Sequence, residues 1–102
     1  MHILHLEDDA LDADLVQREV ARHESNPVWT VAATAEAFHE AMASRRVDLI
    51  LSDNRVPGID GLQALQLARQ QRPSVPFVFV SGNSDPHWAE HCLAEGATDY
   101  VP

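Results

Sequence analysis

Apolar residues along this chain fall into two alternating patterns. Five short runs are apolar or β-branched, at residues 3–6, 28–31, 47–51, 76–80 and 97–101. The runs at 47–51 and 76–80 are apolar on both faces and too short for helices, which predicts central strands buried from above and below. Between the runs, apolar positions recur at helical spacing. Over 11–23, Leu11, Leu15, Val16 and Val20 form one stripe, with Asp12 and Asp14 early, where the helix dipole favours them. Thr34 is placed to cap a second helix with Ala35, Phe38, Ala41 and Met42 on its inner face. Asp60 can cap a third, lined by Leu62, Leu65 and Ala68 and ended by Pro73. Asp85-Pro86 opens a fourth, which runs through Trp88, Cys92 and Leu93 to a stop at Gly96.

Strict alternation of strand and helix with short links predicts an α/β fold, a doubly wound five-stranded parallel sheet in one domain spanning 1–102. Right-handed crossovers with one reversal of direction put the first helix on one face and the next three on the other. One face is then covered by a single helix. Each large apolar side chain left exposed there forgoes ~1.5–3 kcal/mol. A fifth helix is therefore expected beyond the sequence, which reads as truncated, and the bare face is expected to drive dimerisation or swapping.

Composition narrows the function. The net charge is −9, and Arg45-Arg46 is the only basic doublet, which argues against a nucleic-acid partner. The single cysteine, Cys92, fits a reducing compartment. No apolar stretch approaches the ~20 residues of a membrane span. A cytoplasmic protein is expected.

The chemistry gathers around 47–61, V-D-L-I-L-S-D-N-R-V-P-G-I-D-G. Asp53 stands at the carboxyl end of a buried strand, where open α/β sheets place their ligands. Glu7, Asp8 and Asp9 leave the first strand, expected to be its neighbour, at the same edge. Read alone, these three could simply cap the first helix. Carboxylates converging in one crevice repel unless a cation sits between them. Oxygen ligands with no His or Cys beside them favour Mg²⁺. A carboxylate held beside that ion can act as a phosphoryl-accepting nucleophile. Ser81, ending the fourth strand, would bring a hydroxyl to the phosphoryl oxygens.

These residues resemble a response-regulator receiver domain, the phosphoacceptor module of two-component signalling. The likeness covers the whole chain, and its most specific part is the D-x-x-x-P-G-x-D-G run from Asp53 to Gly61. It implies a flavodoxin-like fold with strand order 2-1-3-4-5. It also implies Asp53 as phosphoacceptor, and Glu7, Asp8 and Asp53 with the Arg55 backbone carbonyl as Mg²⁺ ligands. Ser81 would bond the phosphoryl group, and Tyr100 would be the aromatic switch. The implied partner is a sensor histidine kinase or a histidine phosphotransfer protein, with no membrane or nucleic acid bound by this domain. The family follows its fifth strand with a lysine and a last helix. Here the sequence ends at Pro102, one position short, so the lysine is expected next in the parent protein. The implied role is that of a phosphoacceptor rather than an enzyme.

The remaining candidates have plainer readings. His87 and His91 are spaced for a metal but are expected to be surface histidines, and His2 and His5 alternate faces of a strand. Cys92, Trp29 and Trp88 read as packing residues. Asn54, Arg55 and Asn83 flank the crevice. Two other functions stay open, a receiver-like interaction module that accepts no phosphate and a Mg²⁺-dependent phosphohydrolase with an aspartyl nucleophile. The second needs an acid two residues beyond Asp53, where Arg55 stands.

Overall fold

In the computed structural model, which describes residues 1–44, 46–80 and 85–101, the strands and helices alternate. The order is β1 (His2–Leu6), α1 (Ala10–Ala21), β2 (Val28–Ala32), α2 (Ala35–Ser44), β3 (Leu49–Ser52), β4 (Arg55–Val56), β5 (Ile59–Asp60), α3 (Gly61–Gln71), β6 (Phe77–Val80), α4 (Pro86–Ala94) and β7 (Asp99–Val101). Five strands form one parallel sheet, as the pattern predicted, in the order β2-β1-β3-β6-β7 that the family resemblance implied. β4 and β5 are an additional two-stranded antiparallel hairpin turning at Pro57-Gly58, where the sequence suggested only a turn. Gly58 sits at φ 89°, which glycine alone adopts at no steric cost.

Each helix starts on the residue chemistry that local rules favour. Asp9 caps α1, accepting from the backbone N–H groups of Leu11 and Asp12. Thr34 accepts from Ala37 N–H at the start of α2. Asp60 and Gln63 form a reciprocal capping box on α3. Asp85 accepts from His87 N–H, with Pro86 as first residue of α4. Arg69 then ties α3 to the chain around β6 and β7, donating to the carbonyls of Val75 and Gly96.

The sheet faces are unequal. Leu4, Leu6, Ile50, Phe77 and Phe79 share one buried cluster with Phe38, Ala41 and Met42 of α2, Ala64, Leu65 and Ala68 of α3, and Cys92 of α4. The other face carries Ile3, His5 and Leu51, which are buried but stand outside that cluster, as does Ala13 of α1. The expected inner stripe of α1 is displaced. Ala13 is the residue buried there, Val16 and Val20 are half-buried, and Leu11 and Leu15 point to solvent at 76% and 63% exposure. Val101, at the edge of the same sheet face, is 44% exposed.

Two structural consequences can be measured. His5 is fully buried beside Trp29, and neither ring nitrogen has a hydrogen-bond partner. Burial lowers its pKa from 6.5 to about 4. The folded state therefore holds the neutral ring, while the unfolded chain takes up a proton near pH 6.5. Stability contributed by this neutrality is complete above pH 6.5 and is lost as pH falls toward 4, by up to ~3 kcal/mol. Urea unfolding of His5→Leu between pH 7 and 4 should show a shallower acid limb. It should also show higher stability at pH 7, by ~1 kcal/mol or more, because two unsatisfied nitrogens are gone.

Gly61, the first residue of α3, is the second case. A Cβ there would overlap the ring of Phe79 and lie 3.0 Å from the Asp53 carbonyl oxygen. Helix propensity alone would make Gly61→Ala favourable by ~1 kcal/mol. Phe79 is fully buried and stacked on Tyr100, so it has no room to yield. Overpacking, at ~1–3 kcal/mol, should win, and urea unfolding of Gly61→Ala should show net destabilisation.

Candidate functional site

Strand register brings the acidic residues together. Leu6 of β1 lies opposite Ser52 of β3, so Glu7 and Asp53 leave the sheet side by side. Asp53 N–H donates to the Leu6 carbonyl at 2.9 Å, and Glu7 N–H donates to the Ala32 carbonyl at 3.0 Å. The sheet thus extends one bond past its last paired residue on both sides of the crevice. Below it, the fully buried Ser52 donates its hydroxyl to the Asp53 carbonyl at 2.7 Å.

Glu7, Asp8 and Asp53 each present a carboxylate oxygen, and the three atoms lie within 4.8 Å of one another. Glu7 is buried, Asp53 half-buried and Asp8 exposed. Glu7 accepts from Asp9 N–H at 3.0 Å, and Asp53 Oδ1 accepts from Asn54 N–H at 2.8 Å. Among the described residues no arginine or histidine pairs with any of the three. Burial raises the pKa of Glu7, aided by the charges of Asp53, Asp12 and Asp8, while the Asp9 N–H opposes. Burial likewise raises that of Asp53, with Asp8, Asp12 and Asp9 adding to it against the Asn54 N–H. Both carboxyls therefore resist ionisation, and a small hard cation would relieve that resistance.

The sequence grouped Glu7, Asp8 and Asp53 correctly. Asp9 is separate from them, because its side chain is spent on the cap of α1. Arg55 begins the β4–β5 hairpin, and with Asp8, Val56, Pro57 and Gly58 it lines a cleft of about 400 Å³. Its guanidinium makes no ion pair among the described residues. Ser81 and Asn83 lie outside the described residues. Tyr100 is half-buried on β7, stacked on Phe79 at 5.8 Å between ring centroids.

Asn54 does more than the sequence suggested. Its carbonyl accepts from Gly61 N–H at 2.7 Å. Its side-chain Oδ1 accepts from the Trp88 indole N–H at 3.1 Å, and its Nδ2 donates to the Tyr100 hydroxyl at 3.4 Å. Nothing in the pattern of apolar positions marks an amide at that place. The only signal was adjacency to Asp53. Trp88 and Cys92 do pack on the main core, as expected. Burial pushes the Cys92 thiol up, away from nucleophilic character. Among the described residues, no helix is long and apolar enough to cross a membrane.

The chain is similar to known proteins in sequence and in fold. NtrC of Escherichia coli K12, a DNA-binding transcriptional regulator, is 41% identical over 63 residues, a match covering 62% of this chain and 13% of that protein. MalR of Bacillus subtilis, a transcriptional regulatory protein, is 27% identical over 101 residues, covering 99% of this chain and 43% of MalR. The chain thus spans a minor part of either regulator. Among solved structures, the BeF3-activated receiver domain of Klebsiella pneumoniae RstA superposes with a TM-score of 0.87 at 26% identity, over 99% of this chain and 84% of that one. The family model for the response regulator receiver domain matches residues 3–102. The chain belongs to the response regulator receiver domain family, the receivers of two-component systems.

Proposed function

We propose that Asp53 accepts a phosphoryl group from a phosphohistidine of a sensor kinase or phosphotransfer protein in the cytoplasm, and that the aspartyl phosphate changes which partner this domain binds. The observation that carries this is the convergence of Glu7, Asp8 and Asp53 within 4.8 Å, with Asp53 only half-buried. In the transfer, an Asp53 carboxylate oxygen forms a bond to phosphorus, and the donor P–N bond breaks with its electron pair on the imidazole. Asp53 Oδ1 is oriented by the Asn54 N–H, which leaves the second oxygen as the nucleophile.

Glu7, Asp8, Asp53 and the Arg55 carbonyl would hold Mg²⁺, which when bound neutralises charge on the phosphoryl oxygens. The donor set fits it, being all oxygen, crowded and without a paired cation among the described residues. Family resemblance assigns Ser81 to the phosphoryl oxygens and Tyr100 to the switch that follows. On this reading the domain assists its own phosphorylation and dephosphorylation and turns over no substrate. A phosphohydrolase reading gains no support, because Arg55 stands where that chemistry needs an acid.

Incubation with acetyl phosphate and Mg²⁺, followed by intact mass, should show one phosphoryl adduct. The adduct should require Mg²⁺ and be absent from Asp53→Asn. Asp8→Asn should slow its formation by ~10-fold or more, since loss of even an outer-shell partner of a metal costs that much. No adduct, or one that survives Asp53→Asn, would remove Asp53 from this role.

We also propose that a second copy of the chain covers the exposed Leu11, Leu15 and Val101. Two such faces meeting would recover ~1.5–3 kcal/mol for each side chain fully buried. Light scattering behind size exclusion should show a dimer that Leu15→Glu converts to a monomer. A monomer at all concentrations would reject this arrangement.

A further inference from the structure

Asn54 joins Asp53 to α3, α4 and β7. Its N–H donates to Asp53 Oδ1 at 2.8 Å, and its carbonyl receives the N–H of Gly61, at the start of α3, at 2.7 Å. Its side chain reaches Trp88 on α4 and Tyr100 on β7. An indole N–H can only donate, so the Asn54 oxygen must face Trp88 and its NH₂ must face Tyr100. The two contacts are unequal. At 3.1 Å the Trp88 bond lies within the normal range for N–H···O, whereas 3.4 Å to Tyr100 lies beyond it. Of these two contacts, the shorter runs to α4.

We propose that Asn54 is a positioning residue that couples the Asp53 carboxylate to helix α4 through Trp88. The inference rests on the phosphoacceptor reading of Asp53. An ionised Oδ1 makes a charge-assisted bond to the Asn54 N–H. Conversion of the carboxylate to an acyl phosphate, or its ligation by a cation, withdraws charge from that oxygen and weakens the bond. The Asn54 peptide group then settles differently, and its side-chain oxygen moves relative to the indole. Trp88 follows or loses its acceptor. α4 carries the exposed Leu93, so its adjustment reaches the molecular surface. Gly61 keeps the reverse side rigid, because Phe79 and the Asp53 carbonyl leave no slack there.

The test uses a Trp29→Phe background, in which Trp88 is the single indole. Trp88 emission and acrylamide quenching are measured before and after acetyl phosphate with Mg²⁺, and the adduct fraction is fixed by intact mass on the same samples. The parent should show an emission change proportional to adduct. Asn54→Ala should lose that change per adduct formed. Asn54→Asp, which retains an oxygen acceptor for the indole, should restore it and also serves if the alanine variant folds poorly. An adduct without an emission change in the parent, or an equal change per adduct in Asn54→Ala, overturns the coupling while leaving the phosphoacceptor reading intact. If the parent forms no adduct, the phosphoacceptor reading falls, and the coupling is judged on Mg²⁺ alone. A Mg²⁺-dependent change in Trp88 emission that Asn54→Ala abolishes then sustains it, and the absence of such a change overturns it.

Discussion

Between Leu6 and Asp53 a single backbone hydrogen bond, 2.9 Å from Asp53 N to the Leu6 carbonyl, continues the sheet past the last paired residues, Leu6 and Ser52. Because of it, two chains that would otherwise diverge into loops carry their next side chains into the same space. Glu7 is pinned in the same way to β2 through the Ala32 carbonyl. Repulsion between the carboxylates therefore cannot be relieved by backbone movement without breaking sheet bonds. Burial first, and the neighbouring acids after it, hold the carboxyls of Glu7 and Asp53 above their ordinary pKa range. Positive charge placed among these carboxyls would favour their ionised forms.

The loop after Asp53 is constrained from the other side. Gly61 brings the first turn of α3 against the backbone of Asp53 and Asn54, and the Gly61 N–H closes onto the Asn54 carbonyl. Pro57-Gly58 folds the intervening residues into the β4–β5 hairpin, and its carbonyl at Pro57 also receives Ala35 N–H from the start of α2. Asp53 is thus framed by elements that pack on the same buried cluster, so its geometry is set by the core rather than by the loop itself.

Much of this was legible in the residues because it depends on local periodicity. Runs apolar on both faces gave β3 and β6, and the caps Thr34, Asp60 and Asp85 fixed helix starts that the structure reproduces. The grouping of Glu7, Asp8 and Asp53 followed from parallel strands ending at one edge. Other features depend on three-dimensional choices that periodicity leaves open. On α1 two apolar stripes compete, and small Ala13 goes inside while Leu11 and Leu15 stay exposed. Asp9 could have been a ligand or a cap, and the backbone N–H groups of Leu11 and Asp12 decided for the cap. The Asn54 network joins residues 34 and 46 positions apart, and no sequence spacing encodes it.

The helices on the crowded face are not held equally, and this determines where a change at Asp53 can go. α3 buries Gly61, Ala64, Leu65 and Ala68 and is tied by Arg69 to the chain on either side of β6. α4 buries Cys92 alone, with Trp88 half-buried and Leu93 exposed. Elements with few buried apolar side chains are the ones that shift at low cost. Both α3 and α4 donate a hydrogen bond to Asn54, Gly61 N–H to its backbone carbonyl and the Trp88 indole N–H to its side-chain oxygen. A disturbance of the Asp53–Asn54 bond of a few kcal/mol or less, the scale of a charge-assisted hydrogen bond, is small against the packing of α3. Under the proposed coupling, α4, with Cys92 as its one fully buried side chain, is the element expected to respond.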